Sequence, residues 1–417
     1  MGGTDRIPFN RPHVVGEEFA YIQEAISQGK LSGNGVFADR CARWLERRTG
    51  ASRAFMTPSC TAALEMSATL AGIEPGDEVI MPSFTFVSTA NAFVGRGGVP
   101  VFVDVRPDTL SVSAAAVEAA VTPRTKAVVV VHYAGVGCEM DEIMAVARTH
   151  GLLVIEDAAH ALLARYRGRE LGGIAQLGTL SFHETKNIHC GEGGALLVND
   201  PALVQRAEIV QEKGTNRARF FRGEVDKYTW VDTGSSHLTS EVATAFLWAQ
   251  LERAEELTAG RLAIWEAYHE AFEPLEAEGL ARRPVIPDEA DHNGHMYHLL
   301  LPEAELQMPV IEALKRDGVH AVFHYVPLHS SPAGRRYGRA NGELTVTDDV
   351  SARIVRLPLW YGLTDDEVER VIRGVVNAVT TVSPAARRPR AESPRPEAPH
   401  PGESGRAPLL DTTRTAR

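Results

Sequence analysis

Residues 126–132 read KAVVVVH and residues 152–156 read LLVIE, two nearly unbroken apolar runs that end in polar groups. Runs of this length and composition suit strands covered on both faces. Shorter runs at 53–57, 78–81 and 99–105 have the same character. Between them, 61–70, 85–94, 114–121 and 140–149 carry apolar residues at helical spacing. Strands that alternate with helical crossovers predict an α/β fold with a mainly parallel sheet, covered by helices on both sides. From about Glu241 the pattern changes to the longer helices VATAFLWAQLERAEEL and RLAIWEAYHEAF. A smaller α/β section follows, with strands expected at 296–301, 321–325 and 357–359 and a helix over 365–376. The change divides the chain into a large domain, 1–252, and a small C-terminal domain, 253–382. The N-terminal segment is a candidate to pack with the small domain. No internal repeat interrupts the pattern.

Beyond residue 383 the pattern is lost. Residues 384–417 hold 7 of the 24 prolines, 7 arginines against 4 acids, and no aromatic ring. Such a segment buries too little to offset its ordering entropy, so 383–417 is expected to be a disordered tail. The 417 residues carry 43 Lys+Arg and 54 Asp+Glu, a net charge of −11. That balance argues against a general affinity for nucleic acid, which needs clustered cations. No stretch approaches the roughly 20 apolar residues of a membrane span. The opening MGGTDRIPFNRP is polar, and Cys41, Cys60, Cys138 and Cys190 lie far apart without a CxxC pair. The expected location is a reducing cytoplasm with free thiols.

Ligands of open α/β sheets bind beyond the carboxyl ends of the strands. Four polar clusters fall there: Pro58-Ser59-Cys60-Thr61, Asp157-Ala158-Ala159-His160, His183-Glu184-Thr185-Lys186-Asn187 and Gly191-Glu192-Gly193-Gly194. A strand-end carboxylate, a lysine some thirty residues on and a hydroxyl-rich helix start are what pyridoxal 5′-phosphate requires. Its aldehyde needs an amine for a Schiff base, and its ring nitrogen needs an anion. Its phosphate suits backbone N–H groups at a helix N-terminus. Each residue taken alone has a plainer reading. A lone lysine is usually a surface charge, Asp157, Ser59 and Thr61 are ordinary helix caps, and Phe86 is an ordinary core residue. Gly191–Gly194 would serve equally as a turn needing positive φ. His132, His183, His189, His324 and His329 form neither HxH nor HExxH, and no metal is expected.

Taken in order, SCTAALEM, PSFTFVSTANAF, EDAAH, SFHETKN and GEGG resemble the DegT/DnrJ/EryC1/StrS sugar aminotransferases, which are pyridoxal-phosphate enzymes of fold type I, the aspartate-aminotransferase fold. The resemblance spans residues 7 to 381. Within the family, IPFNRPHVVG, GKLSGNG, KGTNRARFFRGEVDKYTW and AVFHYVPLH are similar to dTDP-4-amino-4,6-dideoxygalactose transaminases. The resemblance implies a homodimer with shared active sites that moves nitrogen from L-glutamate to C4 of a dTDP-4-keto-6-deoxyhexose, releasing 2-oxoglutarate. It implies Lys186 as the Schiff-base lysine and proton carrier, and Asp157 as the partner of the ring nitrogen. His160 would lie beside the ring's 3-oxygen and Phe86 would stack on the ring. Thr61, Ala62 and Ser181 would form the phosphate cup. The family's partner-subunit Asn, in a GYN-like stretch, is replaced here by Gly234-Ser235-Ser236-His237, which leaves Ser236 for that contact. Tyr325 and His329 lie where relatives hold the sugar, and Lys213, Arg217, Arg219 and Arg222 are candidates for the diphosphate. Two other readings are 3-amination of a nucleotide sugar and a cofactor-binding regulator without turnover. Relatives that deoxygenate replace the lysine with histidine, so Lys186 counts against deoxygenation.

Overall fold

The computed structural model describes residues 6–382. The expectation for the tail lies outside the described residues. Strands Arg53–Thr57, Gly194–Val198, Leu177–Ser181, Leu153–Asp157, Thr125–Val131, Glu78–Pro82, Val99–Val103 and Arg339–Ala340 form one eight-stranded sheet in that spatial order. From Leu177–Ser181 to Arg339–Ala340 every pairing is parallel. Gly194–Val198 alone runs antiparallel to both its neighbours.

The apolar runs are continuous because the sheet is covered twice. Side chains alternate across a strand, and the alternation sorts them into two cores. Val128, Val130, Val154 and Leu197 pack with Cys41 and Leu45 of helix Val36–Thr49 and with Ile143 of helix Met140–His150. Ala127, Val129, Ile155 and Leu196 pack on the opposite face with Leu64 of helix Cys60–Leu70 and Phe93 of helix Val87–Val94. Each buried valine contributes about 1.5–3 kcal/mol. One carboxylate interrupts the apolar run of Leu153–Asp157. Glu156 is fully buried, and its oxygens accept from the backbone N–H groups of Gly172, Ile174 and Ala175. His132 Nε2 lies 3.0 Å from Glu156 Oε2. Every lone pair that burial strips of water is thus offered a donor, and the strand end carrying Asp157 is anchored from beneath.

A separate core lies between helix Ala254–Ala271, helix Asp365–Val382 and the antiparallel pair Tyr297–Leu300 and Ile354–Leu357. Trp265, Tyr268, Leu299, Val355 and Val371 fill it, and Ile7 from the N-terminal segment joins them. Ile7 N–H donates to Gly318 O at 2.8 Å, and His320 N–H donates to Ile7 O at 3.0 Å. Two expected strands differ. The apolar run at 357–359 is mostly loop, because Pro358 has no N–H for a ladder and the strand ends at Leu357. At 321–325 only Val322 pairs, with Arg356, before the chain turns His324 and Tyr325 into the cavity described below. Among the described residues, no helix is long and apolar enough to cross a membrane.

Candidate active site

The carboxyl ends of the parallel strands open onto one cavity of about 580 Å³. All four polar clusters of the sequence contribute to its wall: Ser59, Cys60 and Thr61; Asp157 and His160; His183 and Lys186; Glu192 and Gly193. Ser59 starts helix Cys60–Leu70 in an extended conformation, and its hydroxyl accepts from Ala62 N–H at 3.1 Å. Thr61 Oγ1 donates to Ser88 Oγ at 2.8 Å. The close approach of this turn to the sheet depends on Gly194, where a Cβ would lie 2.4 Å from the Cys60 nitrogen. An alanine there would push the helix start away from the rim.

Asp157 ends its strand with a buried carboxylate. Oδ2 accepts from the Thr89 hydroxyl at 2.8 Å and Oδ1 from Ala159 N–H at 3.2 Å. No lysine or arginine forms an ion pair with it among the described residues. Burial raises its pKa above the usual carboxylate range, against the pull of these hydrogen bonds and of the Lys186 charge. Lys186 sits on a tight loop closed by Phe182 N–H to Gly193 O at 2.8 Å and Lys186 N–H to His183 O at 2.9 Å. Burial draws its ammonium down to about 8, while nearby Cys60 and Asp157 oppose the fall. The far wall is aromatic. His160 and His295 stack at 4.3 Å, Tyr133 Oη lies 2.9 Å from His324 Nδ1, and Tyr325 Oη lies 3.4 Å from His160 Nε2. Burial keeps His160, His295 and His324 well below the ordinary histidine pKa. His160 Nδ1 is buried without a hydrogen-bond partner. Phe86 is 57% exposed and presents its ring to the cavity.

These features fit pyridoxal phosphate. A helix N-terminus with two hydroxyls suits a phosphate. A buried carboxylate lacking a cation suits a protonated ring nitrogen. An amine titrating near 8 suits the aldehyde, and the orphaned His160 nitrogen is a free partner for a polar ring substituent.

The structure brings Lys186, Asp157, His160, Phe86, Thr61, Ser181 and Tyr325 to this cavity. Ala62, His329, Ser236, Lys213, Arg217, Arg219 and Arg222 do not line it. Ala62 is buried behind the wall with its N–H already given to Ser59. His329 ties its loop to the end of strand Glu78–Pro82, with Nδ1 2.7 Å from Ser83 Oγ. Ser236 is exposed and bridges Glu212. Arg222 pairs with Glu208 and Glu224, Arg219 pairs with Glu224, and Arg217 lies over the Phe221 ring. Lys213 belongs to the same protruding stretch, with its N–H bonded to Ser235 O. Sequence reasoning missed Phe9, Thr89, His295, His324 and Arg356, all of which line the cavity. Arg356 had a signal, a lone charge inside the apolar strand IVRL. Phe9, Thr89 and His324 lie inside the stretches IPFNRPHVVG, PSFTFVSTANAF and AVFHYVPLH without having been singled out for the site, and His295 carried no signal. Among the described residues, no group of three His, Cys, Asp or Glu could hold a metal ion.

Residues 12–376 match the model of the DegT/DnrJ/EryC1/StrS aminotransferase family. The chain is 34% identical over 381 residues to the spore coat polysaccharide biosynthesis protein SpsC of Bacillus subtilis (strain 168), covering 89% of this chain and 97% of SpsC. Among solved structures, the aminotransferase TlmJ from Streptoalloteichus hindustanus superposes with a TM-score of 0.83 at 30% identity, over 91% of this chain and 100% of TlmJ. DesV of S. venezuelae superposes with a TM-score of 0.82 at 28% identity, over 90% of this chain and 99% of DesV.

Proposed function

The chain belongs to the DegT/DnrJ/EryC1/StrS aminotransferase family, a pyridoxal-phosphate-dependent sugar aminotransferase of fold type I, and we propose that it aminates C4 of a dTDP-4-keto-6-deoxyhexose with L-glutamate as donor. The observation that carries the reading is that Lys186 and Asp157, 29 residues apart in sequence, face one cavity beside a hydroxyl-lined helix N-terminus.

When bound, pyridoxal phosphate supplies an electron sink that lets an amino group leave one carbon and join another. Lys186, whose ammonium burial makes easier to deprotonate, would move a proton between the donor's Cα and the cofactor. Asp157, aimed by Thr89, offers a fixed negative charge to the ring nitrogen. Ser59, Thr61 and Ser181 would hold the phosphate, and Phe86 and His160 would flank the ring, a reading supported by all five lining the cavity. The 4-keto sugar is supported by the four sequence stretches similar to dTDP-4-amino-4,6-dideoxygalactose transaminases.

The protein acts as a homodimer in the cytoplasm. In support, the stretch that holds Ser236 and the basic residues also exposes Phe221 at 70% and Trp230 at 76%. Apolar rings standing in water mark an interaction surface. In a dimer this stretch would face the partner's cavity, with Ser236 toward the phosphate and the arginines toward the sugar's diphosphate.

Incubation with dTDP-4-keto-6-deoxyglucose and L-glutamate, followed by NMR of the product, tests the proposal. The expected product carries nitrogen at C4. Nitrogen at C3, or an unchanged sugar, would overturn it.

A further inference from the structure

Asn293 is 1% exposed, yet its amide is fully engaged. Its Nδ2 donates to His160 O at 2.9 Å and to Leu162 O at 2.8 Å, two carbonyls of the turn that follows Asp157. Its Oδ1 accepts from His295 N–H at 3.1 Å. Its backbone O accepts from Asn187 Nδ2 at 2.8 Å. Asn187 directly follows Lys186, and its Oδ1 lies 2.9 Å from His295 Nδ1. A carbonyl only accepts, so the bond to Asn293 O fixes which end of the Asn187 amide is which. Oδ1 is then the acceptor, and His295 carries its proton on Nδ1. The His295 ring in turn stacks on His160 at 4.3 Å, with 20° between the planes. Lys186, Asn187, His295, His160 and the turn after Asp157 thus form a closed circuit, with Asn293 bonded across it.

The turn Asn293-Gly294-His295 is itself held from two sides. Gly294 has a φ of +60°, and a Cβ there would lie 3.0 Å from Leu262 N and 3.1 Å from Arg261 C. Only glycine lets the chain lie so close against helix Ala254–Ala271. Arg261 on that helix is 3% exposed and donates to the turn, from Nε to Gly294 O at 3.2 Å and from Nη2 to His295 O at 2.6 Å. A charged donor makes such bonds stronger than ordinary amide ones. On the opposite side a side chain at Gly135 would collide with the Asn293 amide.

The cofactor asks Lys186 and Asp157 to meet opposite ends of one rigid ring, so the spacing between them must be fixed. Strand pairing fixes Asp157 against Thr179, and Ala158 N–H donates to Thr179 O at 3.0 Å. Lys186, however, lies on the loop beyond the strand end at Ser181. Its loop is closed on itself by Lys186 N–H to His183 O, a bond that does not reach the Asp157 side. The Asn187 amide does. Resting on the proposed roles of Lys186 and Asp157, we infer that Asn187 is a positioning residue for Lys186. Through the turn Asn293-Gly294-His295 it sets the spacing between the Lys186 loop and the segment that carries Asp157 and His160.

The test uses the holoenzyme twice. Without substrate it is titrated with pH while the absorbance of the Lys186-bound cofactor is followed. Mixed with L-glutamate, it is followed in stopped flow. Asn187→Ala cuts both bonds to the turn. The limiting rate with L-glutamate is expected to fall by about 10- to 100-fold, the cost of a slightly misplaced reacting group, while the Kd for L-glutamate changes less than about threefold. The midpoint of the absorbance titration should shift by at least about 0.5 pH unit, because the Asp157 charge no longer keeps its distance from the Lys186 nitrogen. His295→Phe keeps a ring to stack on His160 but loses the N–H donor, and should match Asn187→Ala. His295→Asn keeps a donor within reach of Asn187 and should hold the limiting rate within about threefold of wild type. Combining Asn187→Ala with His295→Phe should cost no more than either change alone, as for groups in one network. Asn187→Ser repeats the measurement should the alanine variant misfold. A purely structural tie would lower the melting temperature of Asn187→Ala and, well below it, leave the limiting rate and the titration midpoint as in wild type. That result overturns the inference. A wild-type rate and midpoint in His295→Phe would remove His295 from the route. Holoenzyme that ignores L-glutamate but responds to another amine would refute the proposed donor and leave this inference standing, since the titration uses no donor. Wild-type protein in which pyridoxal phosphate forms no bond to Lys186 would refute the role of Lys186, and this inference with it.

Discussion

The Thr89 hydroxyl donates a 2.8 Å hydrogen bond to Asp157 Oδ2, joining helix Val87–Val94 to the end of strand Leu153–Asp157. Thr85 Oγ1 lies 2.9 Å from Thr89 Oγ1, so a short chain of hydroxyls ends on the carboxylate. The carboxylate is therefore aimed by two structural elements and by the Ala159 backbone, with no cation spent on it. Thr89→Val removes the donor, leaves the oxygen short of a partner in a buried place and should destabilise by about 1–3 kcal/mol. The half-reaction with L-glutamate should also slow by roughly tenfold, because a loosened carboxylate is aimed less well. Denaturant unfolding and stopped flow measure the two effects.

Asp157→Asn keeps the shape and removes the charge. The cofactor should still join Lys186, but the rate should fall by roughly two or more powers of ten, about 3 kcal/mol. If Asp157 were only a helix cap, Asn would replace it with ordinary kinetics. Half-reaction rates of the Asn variant separate the two roles.

Lys186→Ala should abolish turnover, by about 4–8 kcal/mol in the barrier, while pyridoxal phosphate still binds without a covalent bond. Borohydride treatment followed by mass spectrometry checks the bond, and steady-state assay checks the rate. An alanine variant of wild-type activity would end the assignment.

Lys186 also makes a prediction for stability against pH. In the folded, cofactor-free protein it titrates at about 8, against 10.5 for the free side chain. Between those values the unfolded chain holds the extra proton, so Lys186 costs stability that is fully present below about pH 8. The cost fades as pH rises toward 10.5 and is on the order of 3 kcal/mol. Cofactor-free Lys186→Met should therefore melt above wild type at pH 7, and the gap should close by about pH 10.5. A constant gap across that window would show that the cause is packing and not charge.

The double substitution Phe221→Asp and Trp230→Asp places charges where two rings stand exposed at 70% and 76%. A monomer would tolerate this with changes within about 0.5 kcal/mol, as for ordinary surface sites. The proposed dimer should instead dissociate in sedimentation and lose activity together.

Local chemistry determined much of this protein in its sequence. KAVVVVH and LLVIE are apolar throughout because both faces of those strands are buried, so the parallel sheet was legible before any coordinates. The rim was legible for the same reason. A strand's end is marked in sequence by polar residues at or soon after it: Asp157 closes its strand, Ser59 comes shortly after Thr57, and Lys186 lies on the loop after Ser181. Strand boundaries in the C-terminal part were less legible, since Leu357 and Leu359 read alike until Pro358 breaks the ladder between them.

What tertiary structure decided is which distant groups meet. Phe9, Thr89, His295 and Arg356 reach the cavity that holds Lys186 across separations that no short-range pattern encodes. Which charges stay free was also a tertiary matter. Arg219 and Arg222 are paired with Glu224 and Glu208 on the surface, whereas Arg356, partly buried in the cavity wall, forms no ion pair among the described residues. A sequence records that an arginine is present. Only packing decides whether its charge is screened by water and a neighbour, or held in a low-dielectric cavity where an incoming anion would find it unpaired.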